Sequence, residues 1–131
     1  MSASSPQRVE REIARLDEEE LSSYALRRAA MERLGEAVPV DGWCFATADP
    51  QTLVMTSHAT SGVDRSTSPL LYVNEYAQRD VAKHDELARA EWPVRLLSQA
   101  TGGERVSSPR YRGLLKPAGI EHELRGLARK H

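Results

Sequence analysis

Two runs of strand-forming residues, Trp43-Cys44-Phe45-Ala46-Thr47-Ala48 and Leu53-Val54-Met55-Thr56-Ser57-His58-Ala59, are separated only by Asp49-Pro50-Gln51-Thr52. A gap that short joins antiparallel strands, because a parallel pair needs a crossover of about a dozen residues or more. Val38-Pro39-Val40-Asp41-Gly42 leads into the first run, and an alanine-rich helical pattern precedes it. The chain therefore opens as helix, strand, turn, strand, an arrangement with no catalytic signature of its own.

At 131 residues the chain has room for one domain and one core. No run approaches the roughly 18 apolar residues of a membrane span, and the mean hydropathy is -0.55. Met1-Ser2-Ala3-Ser4-Ser5-Pro6 lacks the basic start and apolar centre of a secretory signal, so a cytoplasmic protein is expected. Cys44 is the single cysteine, which excludes an internal disulfide and a multi-thiolate metal site. A net charge of -1 leaves no electrostatic footprint for polyanions.

Val9, Ile13 and Leu16 share one helical face between Gln7 and Asp17, with Arg8, Glu10, Arg11 and Glu12 turned outward. Glu20 and Ser23 break that stripe, and Ser22-Ser23 is placed to cap a second helix running from Tyr24 to Leu34, ended by Gly35 and Pro39. Both parities of the first strand are apolar, which predicts cover on both faces and puts Cys44 in a core. Thr60 to Ser68 reads as a loop, and Ser68-Pro69 opens a helix whose face is Leu70, Val73 and Tyr76. Asp80 caps a further turn carrying Val81, His84 and Leu87. Trp92 to Leu97 is a short strand with Pro93 at its start or edge. Ser108-Pro109 opens a helix with Tyr111, Leu114 and Leu115 on its apolar side, and His122 to Leu127 is a second short strand.

The chemistry looked for is mostly missing. His58, His84, His122 and His131 have no spacing that places two on one helix face, so no metal site is expected. There is no Gly-x-Ser-x-Gly elbow, and Thr101-Gly102-Gly103 lacks the residues of a phosphate or dinucleotide loop. No cofactor is called for. Arg110, Arg112, Lys116, Arg125, Arg129 and Lys130 outnumber the acidic residues near the end but lack aromatic interleaving beyond Tyr111, so they read as a solvated face. Phe45, Met55, Tyr72 and Tyr76 are the candidate lining of an apolar ligand pocket.

The order of several stretches is more telling. Ala25-Leu26-Arg27-Arg28-Ala29-Ala30 leading to Val38 through Pro50, then Asn74-Glu75-Tyr76, Asp80-Val81-Ala82-Lys83, Leu96 through Gly103 and Ser108 through Gly119, resembles the amino-terminal GAF-like region of bacterial LuxR-type helix-turn-helix regulators over residues 24–128. The resemblance implies an α/β (α+β) fold: a partial GAF-like domain over 21–131, incomplete at its carboxy end, with an antiparallel sheet, helices packed on it and an amino-terminal helix or tail over 1–20.

It also implies a non-enzymatic sensory or dimerisation module of a transcriptional regulator. The expected partners are a small-molecule effector and a second copy or full-length relative, with DNA reached only through a helix-turn-helix domain that this chain lacks. The alternatives are a GAF enzyme of the free methionine sulfoxide reductase kind, for which the lone Cys44 lacks resolving thiols, and an inert structural remnant.

Overall fold

In the computed structural model, which describes residues 5–128, the protein is a mixture of helices and small antiparallel sheets. The chain divides into two compact units, one ending at Val63 and the next beginning at Asp64.

The first unit starts with α1 (Pro6–Arg15), capped by the Ser5 hydroxyl, which accepts from the Arg8 N–H. A 3-10 turn, Leu16–Glu19, follows. Val9 and Leu16 are buried, as their spacing predicts, where α1 packs on α2 (Ser23–Ala37). The Ser22 hydroxyl accepts from the Ala25 N–H at 3.2 Å, so the predicted cap is formed. Gly35 does not end α2, which continues to Ala37.

Strands β1 (Trp43–Ala48) and β2 (Met55–Ser61) make the expected hairpin, with Phe45 opposite Ala59 and a register irregularity at Thr47/Ala48. In its turn the Asp49 carboxylate accepts from the Gln51 and Thr52 N–H groups, which hold its pKa below the ordinary value. The strand is not covered on both faces. Cys44 is exposed, and its neighbours Trp43 and Phe45 are half-buried, because in this unit only the other face of the hairpin meets α2.

The second unit contains α3 (Ser68–Ala77), α4 (His84–Arg89), β3 (Val94–Leu96), α5 (Leu97–Ala100), a π-helical turn at Tyr111–Leu115, and β4 (Leu124–Gly126). Ser68-Pro69 lies in the first turn of α3, and Pro93 directly precedes β3, where its missing N–H is harmless. Leu97, Tyr111, Leu114 and Leu115 form the apolar core, with Leu71, Val81 and Ile120 against it.

Around that core the patterning is inverted. The α3 face expected to be buried, Leu70, Val73 and Tyr76, is exposed, while α3 buries Asn74 and Glu75. In the β3–β4 ribbon Leu96 lies opposite Leu124, and both are exposed with Val94, whereas Arg95 and Arg125 on the other face are partly buried. Arg110 and Arg125 are not on a solvated face: the Arg110 side chain is fully buried. Arg129, Lys130 and His131 lie outside the described residues.

Two glycines of the first unit give opposite expectations. Gly62 has φ +68°, and a Cβ there would sit 2.3 Å from the Asp41 carbonyl oxygen. Gly35 lies in α2 with open space around it. Gly62→Ala is expected to destabilise the protein by about 2 kcal/mol or more. Gly35→Ala is expected to stabilise it by about 0.5–1 kcal/mol, both read from urea unfolding followed by circular dichroism.

Candidate functional site

The densest chemistry in the chain is an ionic network inside the second unit. Residue 110 follows Ser108-Pro109, which turns the main chain into a helix and aims the Arg110 side chain inward. Its Nε donates to both oxygens of Glu123 at 3.0 and 3.1 Å, and Nη2 donates to Oε1 at 2.7 Å. Nη1 donates to Asn74 Oδ1 at 3.1 Å and lies 3.7 Å from Asp80 Oδ2; both terminal nitrogens also reach the Val81 carbonyl. This fork fits a planar carboxylate edge-on, which a lysine could not do.

Asp80 is as buried as its partner. Burial by itself raises a carboxyl pKa, but hydrogen bonds from the Ser108 and Asn74 side chains and from the Arg110 and Val81 N–H groups outweigh it and hold Asp80 below its ordinary value. The carboxylate thus stays charged where the guanidinium needs it.

A second cluster is continuous with the first. Glu75 Oε1 accepts from Arg125 Nη1 at 2.9 Å and lies 3.1 Å from His84 Nδ1, and Oε2 accepts from the His84 backbone N–H at 2.9 Å. Arg125 Nε lies 3.5 Å from Glu123 Oε2, which joins the two clusters. Burial depresses the His84 pKa, against the attraction of Glu75 and with help from the Arg125 and Arg110 charges.

Two guanidinium groups, three carboxylates and the His84 imidazole are thus joined in one paired array. The arrangement is a strut tying α3, the 78–84 connection, the start of the π-helical turn and β4 together. Among the described residues no group of three His, Cys, Asp or Glu side chains is disposed to hold a metal ion.

The candidate pocket residues are distributed over both units. Phe45 and Met55 are half-buried on the hairpin of the first unit. Tyr72 and Tyr76 form a tilted ring pair on α3 of the second, with centroids 5.8 Å apart, and Tyr76 is exposed. A depression of about 200 Å³ lies elsewhere in the first unit, lined by Glu12, Arg15, Leu16, Glu19 and Arg33, and is mostly charged.

Sequence reasoning missed the network because its members look like surface charges one at a time. The available signal was alternation: Glu123 and Arg125 flank Leu124, so a strand that exposes Leu124 must turn both charges inward.

Arg110→Met is expected to destabilise the second unit by about 3–5 kcal/mol, since it leaves Asp80 and Glu123 buried without their cation. Arg8→Met, which breaks only the exposed pair with Glu12, is expected to change stability by under about 0.5 kcal/mol in the same unfolding experiment. The pH dependence has a definite sign. With the folded-state pKa of His84 below its ordinary value of 6.5, the unfolded chain takes up a proton that the folded chain refuses. Stability is expected to fall as the pH drops from 7 through 6.5 and to level off below the folded value, and His84→Gln should flatten that step in melts at successive pH values. Compared with known proteins, the chain matches no family model, no curated protein and no solved structure.

Proposed function

We propose that the chain is a non-enzymatic dimerisation and sensory module of a bacterial transcriptional regulator, of the GAF-like kind that its sequence resembles. The observation that carries this reading is the inverted second unit. Arg110, Arg125, Asp80, Glu75 and Glu123 are turned inward and paired, and Leu70, Val73 and Tyr76 on α3 and Val94, Leu96 and Leu124 on the ribbon are left in water. Apolar side chains grouped in this way mark an interaction surface.

The ribbon favours a second copy as the occupant. The Leu97 N–H donates to the Glu123 carbonyl, and the Leu127 N–H to the Pro93 carbonyl. Antiparallel ladder bonds recur at every second pair, so Leu124 and Gly126 turn their N–H and C=O groups to the outer edge of β4. A two-fold axis beside β4 pairs those groups with their own counterparts, giving one four-stranded sheet with Val94, Leu96 and Leu124 of both copies on a single face.

Under this reading the protein works in the cytoplasm, a small effector tunes the pairing, and DNA is reached only through a helix-turn-helix domain outside this chain. Among the described residues no helix is long and apolar enough to cross a membrane. Cys44, though exposed, is a lone thiol and gives the reductase alternative no support.

Native mass spectrometry and light scattering are expected to show a dimer at micromolar concentration. Gly126→Pro removes the outward N–H without touching the bonds to β3, and a Cβ there makes only ordinary contact with Val94. It should yield a folded monomer. An unmodified chain that stays monomeric at hundreds of micromolar would overturn the dimerisation reading.

A further inference from the structure

In the first unit α2 sets two adjacent guanidinium groups against the hairpin, and neither has a carboxylate partner among the described residues. Arg27 is buried, with only uncharged acceptors. Nε donates to the Ser23 carbonyl, Nη1 to the Phe45 carbonyl at 2.8 Å and the Ser57 carbonyl at 3.5 Å, and Nη2 to Ser57 Oγ at 3.0 Å. The Tyr24 ring centre also lies 5.9 Å from the Arg27 guanidinium carbon, and a buried cation that meets only dipoles and a ring leaves net positive potential around it.

Arg28 stands beside it in a different state. Its guanidinium carbon lies 5.7 Å from the centre of the Tyr24 ring and 5.5 Å from that of Trp43. Nη1 is anchored by the Thr60 carbonyl at 3.0 Å and by Tyr24 Oη at 3.3 Å. Nε and Nη2 meet no acceptor among the described residues, and Glu32, one turn along α2, makes no ion pair with them. That edge is the side-on fork that carboxylates bind through two parallel hydrogen bonds, on a guanidinium tethered through Nη1. The tether reduces the side-chain entropy that binding would otherwise cost.

We propose that the Nε/Nη2 edge of Arg28 is a binding site for a carboxylate carried on a flat aromatic body. The Tyr24 and Trp43 rings, centred 5.7 and 5.5 Å from the guanidinium carbon, offer apolar surface beside a carboxylate bound there, and Tyr24 is exposed, so an aromatic body on that carboxylate gains ring contact that a small anion does not. The positive potential from Arg27 favours the anion over a neutral isostere. The inference goes beyond the dimerisation reading and does not depend on it.

The test uses the full chain, labelled with nitrogen-15 and titrated with sodium benzoate, sodium acetate and benzamide at constant ionic strength, following the Arg28 Nε–H and Trp43 indole N–H resonances. Benzoate is expected to shift both resonances saturably in the millimolar range, acetate to bind about tenfold more weakly, and benzamide to leave the Arg28 resonance in place. Arg28→Lys, which keeps the charge and loses the fork, is expected to weaken benzoate by about tenfold while far-ultraviolet circular dichroism stays that of the unmodified protein. An Arg28 Nε–H that does not move with benzoate, a benzamide response equal to that of benzoate, or acetate binding as tightly as benzoate would each overturn the proposal. The first of these needs no variant, so a misfolded Arg28→Lys protein leaves the test intact. Titration of the Gly126→Pro protein separates the two readings, since benzoate should bind it unchanged.

Discussion

The second unit hangs on the contact between the Arg110 guanidinium and the Glu123 carboxylate. Glu123 accepts three hydrogen bonds from Arg110 and also approaches Arg125, so it links the middle of the unit to its last strand. Once Arg110 is buried, its surroundings are constrained: Asp80 must stay ionised, Asn74 must offer its carbonyl oxygen, and Val81 must present its own. A small apolar core of Leu97, Tyr111, Leu114 and Leu115 sits beside this array. Buried ion pairs stabilise little relative to apolar replacements of the same shape, yet removing one partner is severe. Such a core gives specificity of arrangement, with each charge accepting few positions.

How much of this was legible depended on range. Features set by neighbours in sequence were readable: the Asp49-Pro50 hairpin turn, the Ser22 cap of α2, the helix starts at Ser68-Pro69 and Ser108-Pro109, and Pro93 ahead of β3. These follow from fixed backbone preferences of proline and from short hydrogen bonds. The α3 face was misread because periodicity gives the direction of an apolar stripe but not whether it points to a core. Leu70, Val73 and Tyr76 recur at three-residue spacing, and Asn74 and Glu75 occupy the buried side. The network was invisible because local patterning does not reach its partners: Arg110 lies 13 residues from Glu123 and 30 from Asp80, and Arg125 lies 50 from Glu75.

The two units handle buried arginine in opposite ways. Arg110 and Arg125 meet carboxylates, whereas Arg27 meets carbonyl and hydroxyl oxygens. In the first arrangement two guanidinium groups meet three carboxylates. The second leaves positive potential near the half-buried Trp43 and the exposed Tyr24, whose ring centres lie 5.5 and 5.7 Å from the Arg28 guanidinium carbon. In the first unit, capping and hairpin chemistry carry the framework, and the ion pairs of Arg8 with Glu12 and of Arg33 with Glu36 each join neighbours on one helix.

The spacing of the network also sets an order of events during synthesis. Every element of the first unit has been made once residue 63 emerges, and its tertiary bonds close spans of 18 to 32 residues. Asn74, Glu75 and Asp80 emerge next, but Arg110 arrives 36 residues after Asn74, and Arg125 arrives 50 after Glu75. Until then Asn74, Glu75 and Asp80 have only their local partners at Gln78, Val81 and His84 and lack the guanidinium groups that compensate their burial, which opposes docking of α3 and the connection after it. The amino-terminal half is thus complete while the rest is still an open chain, and the later half closes only when β4 has been delivered.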